Sequence, residues 1–221
     1  MAFKAAIFDL DGTLLDSMGI WSNLCYQFLQ RHGITLEAGG LAGMEKKLEV
    51  LSIRNALEYV LKVFPQINID LDSAHQQTWQ IVENFYRHQA EIKPGIPEII
   101  AELESKNIPA GIITATESEL ANAALQKVGL DEFFCDRVMS CATLQMSKRS
   151  PEVFMMMAEK LNAAPSEIIV FEDALYAAST AKAAGFAVAA VYDPSEKNPE
   201  KLAEIADWYC RSWEELPLDI L

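Results

Sequence analysis

Two carboxylates stand directly after a short apolar run near the start of this 221-residue sequence. The run AAIF occupies positions 5–8, and Asp9 and Asp11 follow it within the stretch AIFDLDGTLLDS. Because side chains two residues apart in an extended chain point to the same side, both acids can face one point in space. A carboxylate that follows a buried strand costs free energy unless it has partners. The pair therefore indicates a site at which negative charge is used.

Other residues able to do chemistry follow later apolar runs or precede a helix: Thr114 and Thr116, Lys148 and Arg149, and Glu172 and Asp173. In open parallel sheets, ligands bind beyond the carboxyl ends of the strands. We therefore expect these segments to meet at one rim with two pairs of acids, a hydroxyl and a cation. Taken singly, Asp173 would be a helix N-cap and Thr114 a locally bonded strand-end residue. Their combination favours a functional site.

The hydrophobic pattern predicts the elements that would position this rim. Continuous apolarity is typical of strands covered on both faces, as in a parallel sheet. The clear runs are 5–8, 110–114, 168–171 and 186–192, and weaker runs at 135–140 and 206–210 could add two strands. Helical patterns lie between the runs, and TESE predicts an N-cap at Thr116 with Glu119 reaching back. This alternation predicts an α/β fold with a doubly wound parallel sheet.

One interval breaks the alternation. From about residue 17 to 92 the sequence has helical periodicity and little strand signal. Pro94 and Gly95 punctuate the return to the strand pattern. We therefore predict a small inserted all-helical domain over 17–92, on an α/β core made of 1–16 and 93–221.

Composition excludes several classes of partner. The formal net charge of -14 disfavours nucleic acid and anionic membrane surfaces. The four cysteines are scattered, which predicts neither a zinc site nor a redox pair. The sequence shows no long apolar stretch and no signal-peptide pattern, so we expect a cytoplasmic protein. We expect its partner to be a small molecule, and the protein itself to be a monomer or a weak homo-oligomer.

Four stretches carry a family resemblance: FDLDGTLLDS, IITAT, SKRSPEVF and VFEDALYAASTAKAAGF. Their order and spacing resemble the four motifs of the haloacid dehalogenase superfamily, and the helical insert resembles its C1-type cap. The resemblance implies a phosphatase or β-phosphoglucomutase-like enzyme. It implies that Asp9 is the nucleophile that forms an aspartyl-phosphate, and that Asp11 is the general acid and then the general base.

The resemblance also implies Mg²⁺, held by Asp9, Asp173 and the backbone carbonyl of Leu10, with Asp11 and Glu172 in or near the same shell. Electrostatics agrees, since two like charges about 4 Å apart repel by about 4 kcal/mol at an effective dielectric constant of about 20. Oxygen ligands without His or Cys favour a hard ion such as magnesium.

A phosphoryl group would need a local cation and hydrogen-bond donors on so acidic a protein. The resemblance assigns Lys148 as that cation and Thr114 as a hydroxyl donor, with Ala115 at the helix start that follows. The family's third motif usually reads Lys-Pro-x-Pro, whereas this chain has Lys148, Arg149 and a serine before Pro151. Alignment on Pro151 favours Lys148 over Arg149 as the cation.

The predicted function is a magnesium-dependent phosphatase that hydrolyses a small phosphorylated metabolite. The alternative is a β-phosphoglucomutase-like sugar phosphomutase, which the core motifs do not separate from a phosphatase. The presence of Asp11 disfavours dehalogenase chemistry. A signalling receiver domain is disfavoured by the acid two residues after the first and by the helical insert. Retention of every motif acid argues against a catalytically idle binding protein.

Substrate recognition is expected in the insert, where four residues are candidates: Lys46, Lys47, Ser52 and Arg54. Arg54 is the preferred one, because a guanidinium suits an anionic substrate. If the insert moves as a cap, its hinges are expected near 16–17 and 91–94.

Overall fold

The chain separates into two compact units. The computed structural model describes residues 3–35, 48 and 51–221. One unit comprises Met1–Ser17 with Gln89–Leu221, and the other comprises Met18–His88. The assignment of 17–92 as a functional cap domain stays a prediction.

Six parallel strands form the sheet of the larger unit, in the order β3-β2-β1-β4-β5-β6. They are β1 Ala5–Phe8, β2 Ala110–Thr114, β3 Val138–Ser140, β4 Ile168–Glu172, β5 Ala187–Val191 and β6 Trp208–Cys210. The predicted α/β fold with a doubly wound parallel sheet is confirmed, including the two strands with weaker signals. The strand order reverses between β1 and β4, and sheets of this kind bind ligands at such a point, beyond the carboxyl ends of the strands.

Register aligns the carboxyl ends of the three central strands. Phe8, the last residue of β1, pairs with Ile112 in β2 and with Phe171 in β4. The rings of Phe8 and Phe171 stack with centroids 4.3 Å apart, which fixes the two strands together. Asp9, which follows β1, therefore lies at the same edge of the sheet as Thr114 and Glu172, the last residues of β2 and β4.

The described residues of the smaller unit include three helices: α1 Met18–Arg31, α2 Ile53–Val63 and α3 Leu71–His88. Each buries one apolar stripe, as amphipathic helices of a small bundle do. Ser52 is the N-cap of α2, and its hydroxyl accepts a hydrogen bond from the Asn55 backbone N–H at 3.3 Å. This is the ordinary role of such a residue. Lys46 and Lys47 lie outside the described residues.

Seven further helices flank the sheet: α4 Ile96–Ser105, α5 Ser118–Val128, α6 Asp131–Phe134, α7 Cys141–Leu144, α8 Glu152–Lys160, α9 Leu175–Ala183 and α10 Pro199–Ile205. Helix α5 ends at Gly129, which adopts a left-handed conformation. Its predicted start was wrong, because the N-cap is Glu117 and the Thr116 side chain bonds elsewhere. Within the described ranges, no helix combines the length and apolarity needed to cross a membrane.

Candidate active site

Three buried carboxylates meet at the carboxyl edge of the sheet. Asp9 follows β1, Glu172 ends β4, and Asp173 comes next in the chain. One carboxylate oxygen from each lies within 4.8 Å of the others, and all three residues are buried. The convergence expected from strand ends therefore brings together three of the predicted site residues.

Lys148 lies inside this group. Its side chain is only 4% exposed, and Nζ donates a hydrogen bond to Glu172 Oε1 at 2.6 Å and a second to Asp9 Oδ1. A turn before α8 presents it, in which the Ser150 backbone N–H donates to the Ser147 carbonyl at 3.0 Å. Lys148 therefore links the strand β1 edge to the strand β4 edge through charge-assisted hydrogen bonds.

The charges in the group do not balance. With every group ionised, three carboxylates and one ammonium leave two negative charges uncompensated among buried side chains. Burial raises the pKa of Asp9 from 3.8 to about 7, against the opposing charge of Lys148. Burial also raises the pKa of Asp173, and the charges of Glu172 and Asp9 add to that effect. Burial alone would lower the pKa of Lys148, but Asp9 and Glu172 outweigh it and hold that pKa above its usual range.

Glu172 and its neighbours fix the turn after β4. The second oxygen of Glu172, Oε2, accepts hydrogen bonds from the backbone N–H groups of Asp173 at 2.9 Å and Ala174 at 3.0 Å. Asp173 Oδ1 accepts a hydrogen bond from Thr13 Oγ1 at 2.8 Å. Glu172 thus orients both Lys148 and the turn, while the carboxylate of Asp173 is oriented from the loop after β1.

Asp11 is held by two hydroxyls. Ser17 Oγ donates to Asp11 Oδ1 and Thr116 Oγ1 donates to Asp11 Oδ2, each at 2.6 Å. The carboxylate of Asp11 is therefore directed by the loops that follow β1 and β2. It is not part of the three-carboxylate group, so Asp11 has a different environment from Asp9 although only one residue separates them.

The end of β2 contributes a buried hydroxyl. Thr114 is fully buried, and its Oγ1 accepts a hydrogen bond from the Thr116 backbone N–H at 3.0 Å. A hydroxyl that accepts one bond still has its own proton to donate. Ala115 follows at an exposed position directly beyond the strand.

The two arginines with predicted or alternative roles have other partners. Arg149 is exposed, and its guanidinium lies 4.5 Å from the centroid of the Tyr176 ring. Of the two cations in the third motif, Lys148 is thus the one that lies among the carboxylates. Arg54, in the helical unit, forms an exposed ion pair with Asp72 at 2.7 Å.

The backbone carbonyl of Leu10 does not suit the predicted role of metal ligand. Its oxygen accepts hydrogen bonds from the backbone N–H groups of Leu14 at 3.0 Å and Leu15 at 2.8 Å. A carbonyl oxygen has two lone pairs, and both are used by this turn. We therefore leave Leu10 out of the candidate ligand set. The error arose because local spacing does not show which way a carbonyl in a tight turn points.

Sequence reasoning missed two hydroxyls that bond the site carboxylates, those of Thr13 and Ser17, and it did not find the partner of a third, that of Thr116. Thr13 bonds Asp173 across 160 positions and Thr116 bonds Asp11 across 105 positions. The only signal available was the presence of hydroxyl residues within the two motifs that contain Asp11 and Thr114. Their partners depend on the register of β1 against β2 and β4, which is a tertiary property.

The donor set fits a hard divalent cation. It consists of carboxylate oxygens alone, which magnesium prefers over nitrogen and sulfur ligands. A divalent ion would also offset the two uncompensated negative charges. Among the described residues, every buried side-chain nitrogen and oxygen has a hydrogen-bond partner, so the site is a finished polar network.

Comparison with known proteins agrees with this geometry. A family model described as haloacid dehalogenase-like hydrolase matches residues 3–185. The phosphorylated carbohydrates phosphatase of Thermotoga maritima is 22% identical over 182 residues, covering 82% of each chain. Hexitol phosphatase A of Escherichia coli is 28% identical over 199 residues, covering 89% of this chain and 86% of its own.

A solved structure shows the same fold. It is a haloacid dehalogenase family hydrolase from Deinococcus radiodurans with bound phosphate and sodium. The two structures superpose with a TM-score of 0.72 at 21% identity, over 96% of this chain and 93% of the other. The resemblance predicted from the four motifs is confirmed: this chain belongs to the haloacid dehalogenase-like hydrolase family.

Proposed function

We propose that the protein is a magnesium-dependent phosphatase that hydrolyses a small phosphate monoester through an aspartyl-phosphate on Asp9. The observation that carries the proposal is the buried group of three carboxylates and one ammonium. Uncompensated negative charge in a buried site costs folding free energy. Such charge is typical of functional sites, here one that would bind a cation and an anionic substrate. The named phosphatases among the relatives support the same class of reaction.

Asp9 and Asp173 would hold the metal ion, with Glu172 beside them. Asp11 would lie beside this set, with its two carboxylate oxygens oriented by hydrogen bonds from Ser17 and Thr116. When bound, Mg²⁺ supplies positive charge that lets a carboxylate approach an anionic phosphoryl group. Lys148 supplies the remaining local cation, and Glu172 keeps it in place.

Asp9 and Asp11 would then catalyse two chemical steps, formation of the aspartyl-phosphate and its hydrolysis. In the first, a carboxylate oxygen of Asp9 attacks phosphorus and the ester oxygen leaves with a proton from Asp11. In the second, water attacks phosphorus, gives its proton to Asp11, and the bond between Asp9 and phosphorus breaks. Thr114 would donate its hydroxyl proton to a phosphoryl oxygen, and the backbone at Ala115 would add a donor. Ser17 and Thr116 would aim Asp11 at the leaving oxygen.

The helical unit would serve as the cap that selects the substrate. Its helices and the inserted position in the chain are typical of such a unit, and Arg54 is the proposed contact to an anionic substrate. We expect the substrate to be a phosphorylated carbohydrate or polyol, as the names of the relatives suggest. A cytoplasmic location and a monomeric or weakly associating state stay predictions.

A screen of phosphorylated metabolites with and without Mg²⁺ tests this function. We expect phosphate release from one or more sugar or polyol phosphates, only with Mg²⁺, and loss of that release in Asp9→Asn. Asp136→Asn is the matched control, because Asp136 is an exposed carboxylate paired with Lys160 on the same unit. Transfer of phosphate to a second sugar hydroxyl would identify a phosphomutase instead. Full activity in Asp9→Asn would overturn the proposal.

A further inference from the structure

The chain beyond residue 185 lies outside the match to the family model, yet it reaches the candidate metal site. A short 3₁₀ turn, Trp213–Glu215, lies near the end of this segment. Trp213 is 1% exposed and is the largest fully buried side chain of the described residues. A buried indole needs a partner for its N–H group, and the identity of that partner is informative.

Two hydrogen bonds connect Trp213 to a proposed ligand. Trp213 Nε1 donates to the backbone carbonyl of Thr13 at 2.8 Å. Thr13 Oγ1 donates to Asp173 Oδ1, also at 2.8 Å. Thr13 is fully buried and Asp173 is 4% exposed, so water does not compete strongly for either bond. The indole therefore fixes the residue that orients the carboxylate.

The indole also contacts the strand that ends beside Asp173. Its ring meets that of Phe171 edge to face, with centroids 5.3 Å apart. Phe171 in turn stacks on Phe8, the residue before Asp9. Trp213 thus touches the β1 loop through its N–H group and the β4 end through its ring.

Tight packing restricts the position of the turn. Gly95 approaches the backbone of Trp213 and Glu214 so closely that an added Cβ atom would overlap both. The neighbouring Lys93 forms a largely buried ion pair with Asp193 at 2.8 Å, which joins the same segment to the end of β5. Because the turn cannot shift easily, the N–H group of Trp213 is held in one place relative to Thr13.

We infer that Trp213 is a positioning residue for the metal ligand Asp173 and acts through Thr13. The inference rests on the proposed function, because it takes Asp173 as a ligand. Hydrogen-bond partners of metal ligands set the orientation and basicity of those ligands, and their loss weakens metal binding about 10- to 100-fold. Thr13 is in direct contact with Asp173 and is expected in this range. Trp213 is one bond further away and is expected at the lower end, about tenfold or less.

Calorimetric titration with Mg²⁺ tests the inference on the full-length protein. Thr13→Val removes the hydroxyl and is expected to weaken binding about 10- to 100-fold, whereas Thr13→Ser keeps it and is expected to bind as the parent does. Trp213→Phe keeps a ring but removes the N–H group, and a threefold to tenfold loss is expected. Trp208→Phe, the same substitution on β6, is the matched control because Trp208 packs on Phe3.

The outcomes separate three cases. A parent protein that binds no Mg²⁺ contradicts the proposed function. A parent that binds Mg²⁺ with an unchanged affinity in folded Trp213→Phe overturns the positioning role. A purely structural role for the indole would lower the melting temperature of Trp213→Phe and leave its Mg²⁺ affinity unchanged well below that temperature.

A measurement on the unmodified chain covers the case in which Trp213→Phe does not fold. The chain has four tryptophans, so four indole N–H signals are expected in a proton–nitrogen correlation spectrum. We expect Mg²⁺ to shift the Trp213 signal and to slow its exchange with deuterium, while the exposed Trp79 stays unchanged. Equal behaviour of the two signals would contradict the inference.

Discussion

Charged groups are used differently in the two units of the chain. In the sheet unit, Lys148 contacts two carboxylates and all three side chains are less than 10% exposed. In the helical unit, Arg54 pairs with Asp72 at a similar distance, but the two side chains are 55% and 81% exposed. A charge pair in water-free surroundings interacts far more strongly than the same pair at the surface. The two ion pairs differ in solvent exposure and hardly in distance. Burial of charged side chains, more than the length of the ion pair, therefore indicates where a catalytic site is expected.

The largest expected effect comes from Asp11, a partly buried carboxylate of the sheet unit. Asp11→Asn removes the proposed general acid and base, and kcat is expected to fall by about 10² to 10⁴. Glu83→Gln in the helical unit is the matched control, because Glu83 forms an exposed pair with Arg87. Initial rates on the best substrate of the screen measure both. Equal rates in Asp11→Asn and Glu83→Gln would contradict the proposed role of Asp11 as general acid and base.

Next in size is the effect of removing a cation on stability. Lys148→Met leaves the buried carboxylates without their ammonium, and the free energy of unfolding is expected to fall by about 3–5 kcal/mol without metal. Added Mg²⁺ is expected to restore part of this loss, because it compensates the same charges. Urea unfolding at neutral pH measures it. Lys62→Met, which breaks an exposed pair with Glu58, should leave the unfolding midpoint unchanged. Similar unfolding midpoints for the two variants would contradict the expectation that the buried ion pairs of Lys148 stabilise the fold more than the exposed pair of Lys62 does.

A smaller effect is expected from pH. Burial raises the pKa of Asp9 from 3.8 to about 7, so between these values the folded state binds more protons than the unfolded state. Stability must then fall as pH rises through this interval and level off above it. The raised pKa of Asp173 acts in the same direction. Without metal, the melting temperature of the parent relative to Asp9→Asn should therefore decline from about pH 4 to about pH 7.

Metal reverses this pH trend. Because Mg²⁺ binds deprotonated carboxylates, the rise in melting temperature that it causes should grow over the same pH interval. Thermal unfolding with and without Mg²⁺ across this range measures it. A difference between the parent and Asp9→Asn that does not depend on pH would count against a desolvated Asp9.

The smallest effect is expected in the helical unit. Arg54→Ala should change stability little, because its pair with Asp72 is exposed. If Arg54 contacts the substrate, KM should rise up to about tenfold while kcat changes little. Asp72→Ala releases Arg54 from its partner and should not raise KM. An unchanged KM in Arg54→Ala would remove Arg54 from the proposed substrate contacts.

Strand ends were predictable from the sequence, and the hydrogen bonds that complete the site were not. Asp9, Glu172 and Asp173 meet as expected because parallel strands in register bring the residues at their carboxyl ends to one edge. Lys148 reaches them from the turn before α8. The carbonyl of Leu10 was misassigned because a turn directs it to Leu14 and Leu15.

Partners that are far apart in sequence explain the other misses. Thr116 was taken for a helix cap, yet its hydroxyl bonds Asp11 across the β1–β2 gap. Trp213 gave no signal at all, because its bond to Thr13 spans 200 positions. Such contacts depend on how loops pack after the sheet has formed, and local patterns carry no information about that.

Diffraction from crystals grown with Mn²⁺ tests the central claim most directly, because manganese accepts the same oxygen ligands as magnesium and has a measurable anomalous signal. We expect one strong anomalous peak bonded to the carboxylates of Asp9 and Asp173. Saturating Mn²⁺ without a peak between these two residues would contradict it.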